Sequence, residues 1–148
     1  MDVDDARNTT LADGQIVRKS DSRIVAMGDL DELIAVLGVV RAKRASELLL
    51  RVQRCLMGIC GVLARAQLFD QKTRCEEVCG DLLAEIDKLG NGEFVWVYPG
   101  ATEFEAFANL ARAMCRRCER SLVDVNAPDW VLSFVNILSR YLFYLAKA

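Results

Sequence analysis

The sequence predicts an all-α protein: a five-helix bundle of the ferritin-like, up-down type, led by an irregular N-terminal arm, in one domain over residues 1–148. Three observations predict this. Only two prolines, Pro99 and Pro128, interrupt the chain, and over long stretches apolar residues recur at three- and four-residue spacing. Hydrophobic residues make up 53% and charged residues 27%, enough for one sizeable core. The length of 148 residues sits inside the roughly 100–200 expected of a single domain.

Residues 1–23 are polar and rich in Asp, Thr and Ser, with Asp13-Gly14 as a turn signal, and form an arm that reaches about residue 25. From Met27 to Arg44, Leu30, Leu33, Ile34, Leu37 and Val40 make one helical stripe. Ser46 is placed to cap a second helix over 47–69, with Leu49, Val52, Leu56, Ile59 and Leu63 on one face. A third helix, 74–89, stops at Gly90-Asn91-Gly92. Phe94-Val95-Trp96-Val97-Tyr98 is β-branched and aromatic, hence extended, and Pro99-Gly100 closes it. Thr102 and Glu105 have capping-box spacing and open a fourth helix, 103–125. Pro128 suits the start of a fifth, 128–147.

Composition excludes several classes of function. A net charge of −2 argues against a protein that coats nucleic acid. The longest apolar runs, such as Ile34–Val40, fall well short of the ~20 residues that span a bilayer. No basic segment followed by an apolar stretch opens the chain, so the expected location is the cytoplasm. The six cysteines (55, 60, 75, 79, 115 and 118) are expected as free thiols packed in the core. A four-thiolate zinc site from Cys75, Cys79, Cys115 and Cys118 is the competing reading, although the surrounding pattern is continuous helix rather than a metal knuckle. The chain has no histidine, so its chemistry rests on carboxylates, Arg and Lys, or a cofactor.

The unusual residues concentrate on the fourth helix. Arg112, Arg116 and Glu119 share a face, Arg120 lies one turn beyond Arg116, and Arg117 points about 100° away. Guanidinium groups in line suit a polyphosphate; a solvated basic stripe with Glu119 as internal partner is the alternative. Asp31 and Glu32 begin the first helix, where the helix dipole favours them; alternatively Asp31 points inward to an arginine of helix four. Asn136 and Arg140 interrupt the apolar fifth helix, and a buried Asn there would make either a structural bond or a ligand contact. Thr9, Thr10 and Lys19 in the arm could wrap phosphates, although no phosphate-binding GxxxxGK[ST] is present. Trp96 is either core or a flat wall for a large ligand.

In order, these segments resemble one family, the ATP:cob(I)alamin adenosyltransferases of the PduO type. The likeness is carried by Thr9-Thr10-Leu11 with Lys19, Asp21 and Arg23; Gly28-Asp29-Leu30-Asp31-Glu32-Leu33 with Leu37-Gly38; and Gln53. It continues through Pro99-Gly100-Ala101-Thr102, Arg112, Cys115-Arg116-Arg117-Cys118-Glu119-Arg120, and Asn136 to Phe143. The resemblance implies a homotrimer of five-helix bundles with sites between subunits, and ATP, Mg²⁺ and cobalamin as ligands. The activity it implies is transfer of the 5′-deoxyadenosyl group of ATP to Co(I) of cobalamin, with release of triphosphate. It places Arg112 opposite Asp31, and assigns Thr9, Thr10, Lys19, Arg116, Glu119, Arg120 and Asn136 to ATP. Trp96 takes the position of the aromatic that excludes cobalamin's lower axial base. By the same analogy a eukaryotic chain would be mitochondrial. The chain departs from the family pattern at the arm's glycines, at Ile16, Val25, Met27 and Ile34, and at Arg140, which stands where the family has an aspartate. A non-catalytic binding or structural subunit on the same bundle is the alternative that those departures leave open.

Overall fold

A computed structural model of the chain describes residues 6–90 and 98–148. Strands β1 (Asn8–Thr10) and β2 (Ile16–Arg18) precede helices α1 (Ser22–Lys43), α2 (Glu47–Leu63), α3 (Gln71–Leu89), α4 (Glu103–Asp124) and α5 (Asp129–Leu145). The five-helix architecture is as the sequence predicts. No described helix is long and apolar enough to cross a membrane.

The arm differs from its expected irregular form. β1 and β2 pair antiparallel in the register Thr9↔Val17, around the predicted turn. Gly14 holds φ at +86° there, and Asp13 Oδ1 accepts from Gln15 N at 3.0 Å. The arm also ends sooner, because Asp21 caps α1: its carboxylate accepts from Arg23 N at 2.9 Å and from Arg23 Nε at 3.0 Å. α2 stops at Leu63 rather than 69. Arg65 turns left-handed at φ +61°, and Ala66 N reaches back to Gly61 O at 2.9 Å. The extended run around Trp96 lies outside the described residues.

The helices form a closed ring in the order α1, α2, α3, α5, α4. α1, α3 and α5 run away from the end that carries the arm, and α2 and α4 return to it. The α1–α4 seam fixes that register: Lys43 meets Glu103 at the far end, and Asp29 meets Ser121 toward the arm end. α3 and α4 are not neighbours, so the connection from Leu89 to Glu103 joins helices on opposite sides of α5. The predicted apolar stripes meet inside the ring. Leu30, Leu33, Leu37, Leu56, Ile59, Leu138 and Leu142 are fully buried around Phe134. Ile34, expected in the stripe, is only half-buried.

This arrangement overturns the zinc alternative. Cys75 and Cys79 are on α3, while Cys115 and Cys118 are on α4, across α5. Among the described residues no three His, Cys, Asp or Glu side chains converge on a metal position. The thiols are free, and two of them join helices: Cys118 Sγ donates to Asp29 O on α1 at 3.0 Å, and Cys115 Sγ to Val135 O on α5 at 3.4 Å. Burial pushes the Cys118 thiol up to about 12.

Candidate active site

α4 buries Ala108, Ala111, Cys115, Cys118 and Leu122 against the core, which leaves it two polar flanks. On the flank toward α1, Arg117 bonds Glu32, and its Nε lies 3.1 Å from Asp29 Oδ1. Asp29 Oδ2 also accepts from Ser121 Oγ. These carboxylates raise the guanidinium's pKa, as an adjacent opposite charge must. Arg117 is therefore a structural link between α1 and α4.

The flank toward α5 is built differently. Glu105, Asn109, Arg112, Arg116 and Glu119 follow one another at three- and four-residue spacing. Asn136 Nδ2, from α5, donates to Glu119 Oε1 at 3.1 Å. Arg112 Nε donates to Asn109 Oδ1 at 3.3 Å, and Arg120 Nη1 to Arg116 O at 3.2 Å. Arg112, Arg116, Arg120 and Arg140 form no ion pair among the described residues. Arg116, Arg120 and Arg140 are exposed. Arg140 follows Asn136 by one turn toward the level of Arg112 and Arg116, so it adds positive charge to this flank and pairs with neither Glu119 nor Asp31. An open concavity of about 570 Å³ lies along the last turns of α4, bordered by Arg117, Glu119, Arg120 and Ser121.

Two expectations are corrected here. Asn136 is exposed, not buried. Asp31 is also exposed and forms no pair with Arg112 within the chain. The reason is helical phase. Asp31 follows Asp29, which faces α4, by two residues and so lies about 200° round α1 from it. Its charge is felt instead by the Cys60 thiol on α2, which burial and that carboxylate raise to about 11. Asp29 and Glu32 take the α4 contacts in its place.

The arm sits on the same side as Asp31. Ala12 N donates to Ala64 O at 2.9 Å, Arg65 pairs with Asp13 at 3.3 Å, and Leu11 and Val17 are buried beneath the hairpin. Thr9 is half-buried, while Thr10 and Lys19 are exposed. One chain thus presents two groups of predicted site residues, the arm with Asp31 over α1 and α2, and the arginines with Glu119 and Asn136 over α4 and α5. The α1–α4 seam separates them. Trp96 lies outside the described residues, but the turn after it is held firmly. Glu105, only 8% exposed, accepts from Gly100 N at 3.0 Å and Ala101 N at 2.7 Å, and Thr102 Oγ1 accepts from Glu105 N at 3.1 Å. Those backbone donors hold its carboxyl below the usual range. Sequence reasoning gives Glu105 only a capping role and passes over Asn109; their i, i+4, i+7 spacing with Arg112 is the signal that exposes both.

Known proteins resemble the chain along almost its whole length. The family described as cobalamin adenosyltransferase matches residues 2–148. A cobalamin adenosyltransferase of Cupriavidus metallidurans is 32% identical over 154 residues, spanning 97% of this chain and 83% of that protein. The corrinoid adenosyltransferase PduO of Salmonella typhimurium is 30% identical over 97% of the chain, which spans only 47% of that longer relative. A variant PduO-type ATP:corrinoid adenosyltransferase of Lactobacillus reuteri, solved complexed with cobalamin and ATP, has a TM-score of 0.81 at 26% identity, covering 97% of this chain and 88% of that one. With the ring of helices and the ordered motifs in place, the chain belongs to the cobalamin adenosyltransferase family, in its PduO type.

Proposed function

We propose that the protein transfers the 5′-deoxyadenosyl group of ATP to Co(I) of reduced cobalamin, giving adenosylcobalamin and triphosphate. The observation that carries this is the α5-facing flank of α4, where Arg112, Arg116 and Arg120 form no ion pair among the described residues, beside Glu119 and Asn136. In the reaction the Co(I) electron pair attacks C5′, the C5′–O bond breaks, and its electrons leave with the triphosphate. The protein need supply no nucleophile and no general base, which suits a chain without histidine. Its part is to align C5′ with cobalt and to meet the charge on the leaving group with preorganised donors.

Two half-sites on one chain call for a second copy. We assign the arm residues Thr9, Thr10 and Lys19 of one subunit, with Asp31, to the arginine flank of its neighbour, in a homotrimer. Asp31 then meets Arg112 across the interface, and both are available because neither enters an ion pair among the described residues of its own chain. Such heterologous contacts close a ring, as a trimer requires. Mg²⁺ fits here as an ion carried mainly on triphosphate oxygens, a mode that needs at most one or two protein carboxylates; Glu119 is in place for one, and no three-ligand cage exists among the described residues. Bound there, it would neutralise phosphate charge. Trp96 is assigned to exclusion of the lower axial base. Six free thiols fit a reducing compartment such as the cytoplasm.

The test is direct. Purified protein with ATP, Mg²⁺ and reduced cobalamin should yield the light-sensitive adenosyl product, and Arg116→Ala should abolish most of it. No product under conditions in which a family relative turns over would overturn the assignment. Loss of the spectral signature of four-coordinate Co(II) in Trp96→Ala would support its role, and an unchanged signature would remove it.

A further inference from the structure

A capping box needs its glutamate to reach only the N–H of the N-cap residue. Glu105 reaches further. Its Oε2 takes the N–H groups of Gly100 and Ala101, both before the helix, where Gly100 at φ +129° brings them together. Its other oxygen, Oε1, accepts from Asn109 Nδ2 at 3.2 Å. A carboxylate can only accept, so the Asn109 amide must present its NH₂ to Glu105, which leaves its carbonyl facing away. That carbonyl takes Arg112 Nε at 3.3 Å. The result is a chain of bonds from the turn that closes the Trp96 segment to the guanidinium of Arg112. It occupies Nε and leaves the terminal nitrogens of Arg112 for a partner or ligand.

We propose that Glu105 is a positioning residue for Arg112, acting through Asn109, and that it locks the Pro99–Thr102 turn and the Arg112 guanidinium into one geometry. This rests on the place given to Arg112 in the proposed adenosyltransferase site. Glu105 touches no substrate. Its low carboxyl pKa, set by the backbone donors, keeps it an acceptor at neutral pH.

Two substitutions test the relay. Asn109→Ala cuts the link and leaves the Glu105 cap on the turn intact, so it keeps the fold. Glu105→Gln removes the obligatory acceptor at the other end. Each is expected to lower kcat about tenfold with KM for ATP changed less than about threefold. In an Arg112→Lys background, which lacks the Nε donor, neither should lower kcat further. An equal loss in both backgrounds, or no loss in the native one, would overturn the relay. A second readout needs no activity. The Arg112 Nε–H resonance, assigned by its disappearance in Arg112→Lys, should shift in Glu105→Gln, although that residue does not touch Arg112. An unmoved resonance counts against the proposal. If the native protein makes no adenosylcobalamin, the functional assignment fails, while the resonance still decides whether Glu105 positions Arg112.

Discussion

The two flanks of α4 carry the same residue type in opposite circumstances. Toward α1, Arg117 is enclosed by Asp29 and Glu32, and its charge is spent within the chain. Toward α5, Arg112, Arg116 and Arg120 enter no ion pair among the described residues, although Glu119 shares their flank and accepts a hydrogen bond from Asn136. About 100° of helical rotation separates Arg116 from Arg117. Residue type alone therefore says nothing about whether an arginine is structural or available; the neighbouring helix decides it. An aspartate and a glutamate on α1 pair with the arginine of one flank, while α5 offers Asn136 and Arg140 to the other and brings no carboxylate to its arginines.

The sharpest way to break this contrast is to exchange one arginine from each flank for alanine. Arg116→Ala should weaken ATP binding by about 2 kcal/mol, roughly thirtyfold, the loss of a charge-assisted hydrogen bond, and leave the melting temperature unchanged. Titration calorimetry checks it; unfolding instead of weakened binding would make Arg116 structural. Arg117→Ala should do the reverse. The pair is partly exposed (43% for the Arg117 side chain), so solvent screening limits its loss to about 1 kcal/mol, a fall of about 3 °C in melting temperature, with ATP affinity held within about twofold.

Much of the fold is legible in the sequence. The spacing of Leu30, Leu33, Leu37 and Val40, and of Leu49 through Leu63, fixes which faces are buried, because a 3.6-residue period leaves few other ways to hide them. The end of α2 was not legible. Arg65 and Asp70 adopt positive φ with no glycine or proline to announce it, so the apolar pattern runs on to Phe69, which is in fact 81% exposed. The hairpin was half visible, since Asp13-Gly14 marks its turn but strands of three residues carry too little alternation to be recognised. For the site, the motifs name the residues without saying which chain supplies each. Asp31 and Arg112 belong to one reading of the sequence, yet helical phase puts them on different sides of the bundle.

A smaller effect sharpens the comparison at Arg140. Arg140→Ala should weaken ATP binding about threefold at low salt, with the difference shrinking at high ionic strength, as expected of an exposed charge acting without a fixed partner. No change at low salt would mean that Arg140 lies outside the phosphate field. The smallest concerns acid. Glu105 has a folded pKa below its unfolded value of about 4.3, so its contribution to stability is complete above that value and is lost as pH falls through the lower folded one. The gap in urea midpoint between the native protein and Glu105→Gln should be constant from pH 7 to 5 and narrow below about pH 4. A gap independent of pH would mean that the carboxylate's charge contributes nothing to holding the turn.

In the proposed assembly a nucleotide site forms only where the arm of one subunit meets the arginine flank of the next. Mixing Lys19→Ala protein with Arg116→Ala protein, each with little activity alone, tests it after subunit exchange. Random mixing in a closed trimer leaves roughly a quarter of the sites with both halves native, so adenosylcobalamin formation should return to about that fraction. Exchange without recovery, or full activity in a strictly monomeric protein, would contradict it.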